Sequence, residues 1–147
     1  MNQRSHIVKG RAWIVRDASG RSIDDIDTDM IFHNAHLAVT DVAQMGKHTF
    51  GNLDGWKDFP VKAKPGDIVI TGGNFGCGSS RQHAVDCFRA LGVSALVVAS
   101  CGAIYTRNAI NSGFPLLIVP DAVNSSLENV ITFRPRFFSS STILRDA

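Results

Sequence analysis

From residue 67 onward the chain alternates between short apolar runs and helical periodicity. Asp67-Ile68-Val69-Ile70-Thr71, then residues 93–99 (Val-Ser-Ala-Leu-Val-Val-Ala), then Leu116-Leu117-Ile118-Val119 are nearly continuous in apolar character, as strands buried on both faces must be. Between the first two, Ala84, Cys87, Phe88 and Leu91 recur at i, i+3, i+4 and i+7, which predicts a helix. Ser79 or Ser80 is placed to cap it, and Gly92 to end it. Residues 103–112 read as a second helix, stopped by Gly113. Strand, helix, strand, helix, strand requires parallel pairing through crossovers. The expectation is an α/β fold with a mostly parallel sheet covered by helices.

The first half is patterned less regularly. Residues 7–16 alternate around Trp13 and Val15 and meet Asp17-Ala18-Ser19-Gly20, a strand entering a turn. An acidic knot follows, Asp24-Asp25-Ile26-Asp27-Thr28-Asp29, and then Met30-Ile31-Phe32 with His33, Asn34 and His36. Residues 40–48 suit a helix capped by Thr40 or Asp41, and residues 51–60 suit a loop. No internal repeat or low-complexity segment appears.

Composition excludes several classes of function. With 147 residues, 44% of them hydrophobic and 19% charged, the chain has the material for one domain with a real core. The net charge of +2 and the scattered Lys and Arg argue against nucleic acid. No apolar segment approaches a bilayer span and the N-terminal residues lack an apolar signal core, so no membrane attachment and a cytoplasmic location are expected. Cys77, Cys87 and Cys101 are three in number and fit neither a disulfide framework nor a C-x-x-C metal spacing, so no metal is expected on this chain.

Candidate chemistry concentrates in Gly73-Asn74-Phe75-Gly76-Cys77-Gly78-Ser79-Ser80-Arg81-Gln82. A glycine-rich turn leads from a strand into a helix that opens on Ser-Ser-Arg, which places two hydroxyls and a guanidinium where unpaired N–H groups and the positive helix end favour an anion. Three uses compete. The spacing imitates a nucleotide-binding loop, but Ser79 stands where its lysine would be. Cys77 is a nucleophile candidate if His83 assists it, against simple packing of a small residue. In the third, Ser79, Ser80 and Arg81 together hold a carboxylated substrate, one serine oxygen transfers a proton, and the helix N–H groups and guanidinium stabilise its anion. A purely structural turn is the alternative to all three.

Other polar residues admit plain readings too. Asp25, Asp27 and Asp29 imitate positions 1, 3 and 5 of a calcium loop, yet Met30 replaces its glycine and His36 its glutamate, so a turn whose Asp side chains bond nearby N–H groups is the expectation. His83 is placed one turn into its helix, as a surface histidine or an acid–base group, and His33 and His36 read as solvated. Arg107, Asn108 and Asn111 either brace the second helix or orient Arg81 and the acidic turn.

Taken in order, Asp25-Ile26-Asp27-Thr28-Asp29, the run Asn74 through Ala84, and Tyr105-Thr106-Arg107-Asn108-Ala109-Ile110-Asn111-Ser112-Gly113 resemble the small subunits of 3-isopropylmalate dehydratase, with those of homoaconitase close by. The likeness runs over residues 7–119. It implies the swivelling β/β/α domain of the aconitase superfamily and a hydro-lyase that isomerises a 2-hydroxy acid by removing and re-adding water. It also implies a separate large subunit carrying a 4Fe-4S cluster, with none bound by this chain. On the same resemblance Ser79 is the base that removes the carbon-bound proton, and Ser80 and Arg81 hold substrate carboxylates. Asp27, Asp29, Gly76, Gly78, His83, Arg107 and Asn108 are expected to support them.

Substrate choice in the family resembles a contest decided by a short loop after the acidic knot, here His36-Leu37-Ala38-Val39. An arginine of homoaconitase-like loops aligns with Ala38. Leu37, Ala38 and Val39 therefore favour an apolar substituent, isopropylmalate or a related alkylmalate, over a further carboxylate. Two positions depart from the pattern. Gln82 stands where the family usually has glutamate, and residues 120–147 do not resemble the family's tail, which makes that end a candidate for disorder or for a contact of its own. The sequence reading is one swivel-type domain over residues 1–147, completing a dehydratase that is inactive alone. A non-catalytic carboxylate-binding module is the competing class.

Overall fold

The computed structural model describes residues 8–121 and 123, together with two strands, Val130–Phe133 and Ile143–Arg145. Strands β1 (Val8–Ile14), β2 (Ile68–Thr71), β3 (Ala95–Val98), β4 (Leu116–Ile118), β5 (Val130–Phe133) and β6 (Ile143–Arg145) form one sheet in the order β5-β1-β2-β3-β4-β6. All neighbours are parallel except β1 and β5. The predicted mostly parallel α/β fold is what the chain adopts.

The sheet sorts its residues by parity. Val69, Leu96, Val98 and Leu116 face one side, and Ile68, Ile70, Ala95, Val97 and Leu117 the other. Short helices α1 (Thr28–Ile31), α2 (Val42–Met45) and α3 (Phe59–Lys62) precede β2, while α4 (His83–Ala90) and α5 (Ala103–Asn111) make the crossovers. Ile31, Met45, Phe59, Phe88 and Tyr105, one from each helix, all enter the same core cluster, so the five helices lie on one face of the sheet. Phe50, Phe75 and Phe88 fill that core edge to face or tilted, with centroids 5.3 and 6.3 Å apart around Phe88. Burying each such ring stabilises the fold by about 1.5–3 kcal/mol.

Helix ends follow the sequence signals in part. Gly92 and Gly113 follow α4 and α5 with positive φ, and Val93 N–H reaches back to Phe88 O as Phe114 N–H does to Ala109 O. Asp41, not Thr40, caps α2, and residues 46–48 continue it as a 3-10 turn. The serine cap expected for α4 is not formed. That helix begins at His83, after Gln82, with no side-chain cap. The reason is tertiary: the Ser79 carbonyl, which a helix beginning there would use for its first internal bond, accepts instead from Thr28 Oγ1 at 3.0 Å. His83 is consequently the first residue of α4 and not one turn inside it.

Among the described residues no helix is long and apolar enough to cross a membrane. Within the atypical 120–147 stretch the described pieces are residue 120 and 121, residue 123 and the two outer strands; the rest of the expectation for this tail lies outside the described residues.

Candidate functional site

Beyond the carboxyl ends of β2 and β3, three stretches far apart in sequence run side by side. Gly76 N–H donates to Ile26 O at 2.7 Å and Thr28 N–H to Cys77 O at 2.9 Å, joining the acidic knot to the glycine turn. Phe75 N–H donates to Ser100 O and Gly102 N–H to Phe75 O, joining that turn to the start of α5. Ligand sites in parallel sheets form at this end.

The acidic residues serve this junction. Asp24 Oδ1 accepts from Gly73 N–H at 2.7 Å, and Asp25 Oδ1 from Asn74 Nδ2 at 2.9 Å, with Asp25 and Asn74 both in the left-handed region. Asp27 caps α1 through Met30 N–H. Asp29 accepts from Asn34 N–H, Asn52 Nδ2 and Arg81 Nη1. The Asn34 N–H foremost, with Arg81 adding to it against partial desolvation, holds the Asp29 carboxyl below the usual range. The expected turn of self-capping aspartates is thus only half the account: three of the four carboxylates reach residues about 50 positions away.

Gly76 and Gly78 have φ of +71° and +98°, the left-handed region that favours glycine, and at Gly76 the turn also passes too close to its neighbour for a side chain. A Cβ on Gly76 would lie 2.3 Å from Tyr105 Cγ. The chain emerges at Ser79 and Ser80, both exposed. Asn108 Nδ2, from α5, lies 3.3 Å from Ser80 Oγ, whereas Ser79 Oγ has no partner among the described residues. Nor does any described residue accept from the main-chain N–H of residues 80–83, which leaves four donors without a partner among the described residues.

Arg81 is oriented by Asp29 and by the Phe32 carbonyl, 2.7 Å from Nη1. Its side chain is only 11% exposed, and Nε and Nη2 have no acceptor among the described residues. Neither Arg107 nor Asn108 orients it: Asn108 turns to Ser80, and Arg107 is exposed without a described partner. His83 Nε2 sits 2.9 Å from Val39 O, which brings the 37–39 loop to the start of α4. Leu37 and Ala38 are exposed there and Val39 is half-buried. Gln82 Nε2 donates to Asp86 Oδ1 and Ser112 Oγ, both at 3.2 Å, a bond to a carboxylate that glutamate could not make.

The cysteine reading loses support. Burial first, then the carboxylates of Asp27 and Asp25, push the Cys77 thiol up, and His83 is turned to Val39. Cys101 is pushed up to about 11 and Cys87 to about 12, chiefly by burial.

Three features escaped the sequence reading. Buried Asp67 accepts from Arg11 Nη2, Trp13 Nε1 and Lys64 N–H, pinning β1 to the turn before β2. Thr28 fixes the Ser79 carbonyl. Phe32 gathers three imidazoles, with ring centroids of His83, His48 and His36 at 5.1, 5.7 and 6.4 Å, and His36 stacks on His48 at 3.8 Å. Asp67 follows Pro65-Gly66 and so resembles an ordinary turn acid; the four aromatic positions carry no shared period.

Known proteins are similar to this chain in sequence and fold. The aconitase C-terminal domain family matches residues 21–120. The small subunit 1 of 3-isopropylmalate dehydratase from Methanopyrus kandleri is 40% identical over 114 residues, 78% of this chain and 62% of that protein. The small subunit from Thermodesulfovibrio yellowstonii is 40% identical over 121 residues, 82% of this chain and 67% of that protein. For Clostridium acetobutylicum the figures are 47% over 103 residues, 70% and 62%. The crystal structure of 3-isopropylmalate dehydratase from Methanocaldococcus jannaschii superposes with a TM-score of 0.72 at 34% identity, covering 86% of this chain and 70% of that one. The chain thus spans somewhat under two thirds of the length of most of these relatives. With its matched 21–120 segment, its shared fold and its likeness to these small subunits, the chain belongs to the aconitase C-terminal domain family.

Proposed function

We propose that this chain is the small subunit of a two-subunit hydro-lyase that interconverts 2-isopropylmalate and 3-isopropylmalate by dehydration and rehydration. The observation that carries the reading is the mouth of the glycine turn, where Arg81 is held by Asp29 and Phe32 O with two nitrogens still open, beside the unengaged hydroxyl of Ser79. Substrate carboxylates are anions, and Arg81 Nε and Nη2, Ser80 Oγ and the open N–H groups of 80–83 suit them.

In this mechanism Ser79 Oγ takes the carbon-bound proton and returns it when water is re-added. A serine oxygen serves as a base only where its anion is stabilised, and the same N–H groups and guanidinium supply that stabilisation without reorganising. Leu37, Ala38 and Val39 give the alkyl substituent an apolar wall. A second buried carboxylate would find no partner there. Asp27, Asp29, Gly76, Gly78, His83 and Asn108 hold these groups in register.

A 4Fe-4S cluster is assigned to the large subunit. Among the described residues no group of three His, Cys, Asp or Glu side chains is placed to hold a metal ion. When present on that partner the cluster supplies Lewis-acid activation of the substrate hydroxyl. Assembly with a cluster-bearing large subunit, followed by assay of 2-isopropylmalate conversion, tests the reading. Turnover by the pair and none by either chain alone is expected; no association and no turnover would sink it.

A further inference from the structure

Apart from the Val39 side chain, which packs against the main core, the 37–39 loop is held by few hydrogen bonds. Leu37 N–H reaches Asn34 O and Val39 N–H reaches His36 O, both local turns, and Asp41 bonds only to residues 43 and 44. Among the described residues one hydrogen bond from 37–41 reaches another element, and it is the one between Val39 O and His83 Nε2 at 2.9 Å. A carbonyl only accepts, so Nε2 carries the proton, whether the ring is neutral or charged. The His83 ring is steadied in turn by Phe32, 5.1 Å away and tilted 35°, whose own carbonyl holds Arg81. Residues 81 and 83 at the start of α4 therefore grip one segment at two of its carbonyls.

We infer that His83 is a positioning residue for substrate selection: its bond to Val39 O fixes the 37–39 loop relative to the Ser79–Arg81 turn and thereby sets how sharply the site tells one alkyl substituent from another. This rests on the proposed function, in which that loop walls the alkyl pocket. A rigid apolar wall discriminates roughly 10- to 200-fold per methylene, and a slack wall gives up part of that because it yields to either substituent. His83 touches no reacting atom in this scheme. Its loss acts on KM and on selectivity before it acts on the proton transfer at Ser79.

The test compares the native sequence with H83F, which keeps a ring against Phe32 but has no donor, and H83Q, whose amide N–H reaches nearly as far as Nε2. H83N, too short to reach, serves as a second loss of donor should H83F fold poorly. Hydrogen–deuterium exchange of residues 34–42 is measured on the full chain alone. Selectivity is measured on the chain assembled with a large subunit, as the ratio of kcat/KM for 2-isopropylmalate to that for 2-methylmalate. Expected for H83F and H83N are exchange about tenfold faster and a ratio about tenfold lower, mainly through KM, with both restored in H83Q. Unchanged exchange in H83F and H83N, or H83Q behaving as they do, would overturn the tether. A tethered loop with unchanged selectivity would overturn its role in selection. If the native pair shows no dehydratase activity at all, the proposed function fails, and the exchange measurement alone then decides the tether.

Discussion

Arg81 grips Asp29 with the same nitrogen that it offers to the Phe32 carbonyl, Nη1 lying 3.0 Å from Asp29 Oδ1 and 2.7 Å from Phe32 O. A guanidinium used on one nitrogen keeps its other donors for a ligand, and its plane is set before the ligand arrives. D29N removes the charge that sets it while leaving an oxygen for Asn34 N–H. The expected outcome in the assembled enzyme is a KM raised about tenfold with a smaller fall in kcat, as fits loss of orientation of a charge-assisted contact. An unchanged KM would show that the Asp29 charge is not needed to position Arg81.

Ser79 makes the complementary prediction, since in the proposed function its side chain bears on chemistry and not on folding. Its hydroxyl has no described partner, and the bond that matters to the fold, Thr28 Oγ1 to Ser79 O, runs to the main chain. S79A should lower turnover by roughly 10²- to 10⁴-fold, the range of a general base, while shifting stability by no more than about 0.5 kcal/mol. Retained turnover would remove Ser79 from the base role.

How much of this was legible in the sequence follows from the range of the interactions. The β2-α4-β3-α5-β4 unit could be read because its strands are buried on both faces and Gly92 and Gly113 stop its helices, all local signals. Helices of four residues such as α1 and α3 have no period to read and exist by tertiary contact. The serine run was recognisable as chemistry but misplaced as a cap, because the competing partner for Ser79 O is Thr28, 51 residues earlier. The grip of Asp29 on Arg81, across 52 residues, has no sequence signature, although both residues could be singled out. Of Asp67 nothing marked the role, since Arg11 and Trp13 reach it from another strand.

The stacked imidazoles predict a pH response. Burial first, then the neighbouring His36 and Lys47, push His48 below its ordinary value. The unfolded chain then binds a proton that the folded one resists, so stability is full above the unfolded value of about 6.5 and falls as pH drops below it. Urea unfolding at pH 7.5 and 5.5 should show a lower midpoint at 5.5, and H48F, which retains a ring beside Phe32, should narrow the gap. An equal gap in H48F would place the acid sensitivity elsewhere.

Cys77 lies in the turn that carries the site, yet its thiol is pushed up by burial and by Asp27 and Asp25. Less thiolate means slower alkylation, so iodoacetamide at pH 7.5 should modify Cys77 more slowly than a free thiol such as glutathione. In D27N the rate should rise, because one of the opposing charges is gone. C77A should retain turnover in the assembled enzyme; a collapse of activity in that variant would return the thiol to the mechanism.

Gly76 is where the turn depends most on one neighbour. An added Cβ would meet Tyr105 Cγ at 2.3 Å and Cβ at 2.6 Å. Tyr105 has no room to yield: it is buried, its ring stands edge-on to Phe75 with centroids 5.2 Å apart, and its hydroxyl donates to Ala84 O at 2.7 Å. Overpacking and the left-handed φ of +71° act together, and G76A should cost about 2–4 kcal/mol by urea unfolding. Gly20 separates the two terms. It has φ +83° but no atom within 4 Å of its would-be Cβ, so G20A should cost only the backbone part, about 1 kcal/mol. If both variants lose the same amount, the close approach of Tyr105 contributes nothing, and the glycine at position 76 is explained by its backbone conformation alone.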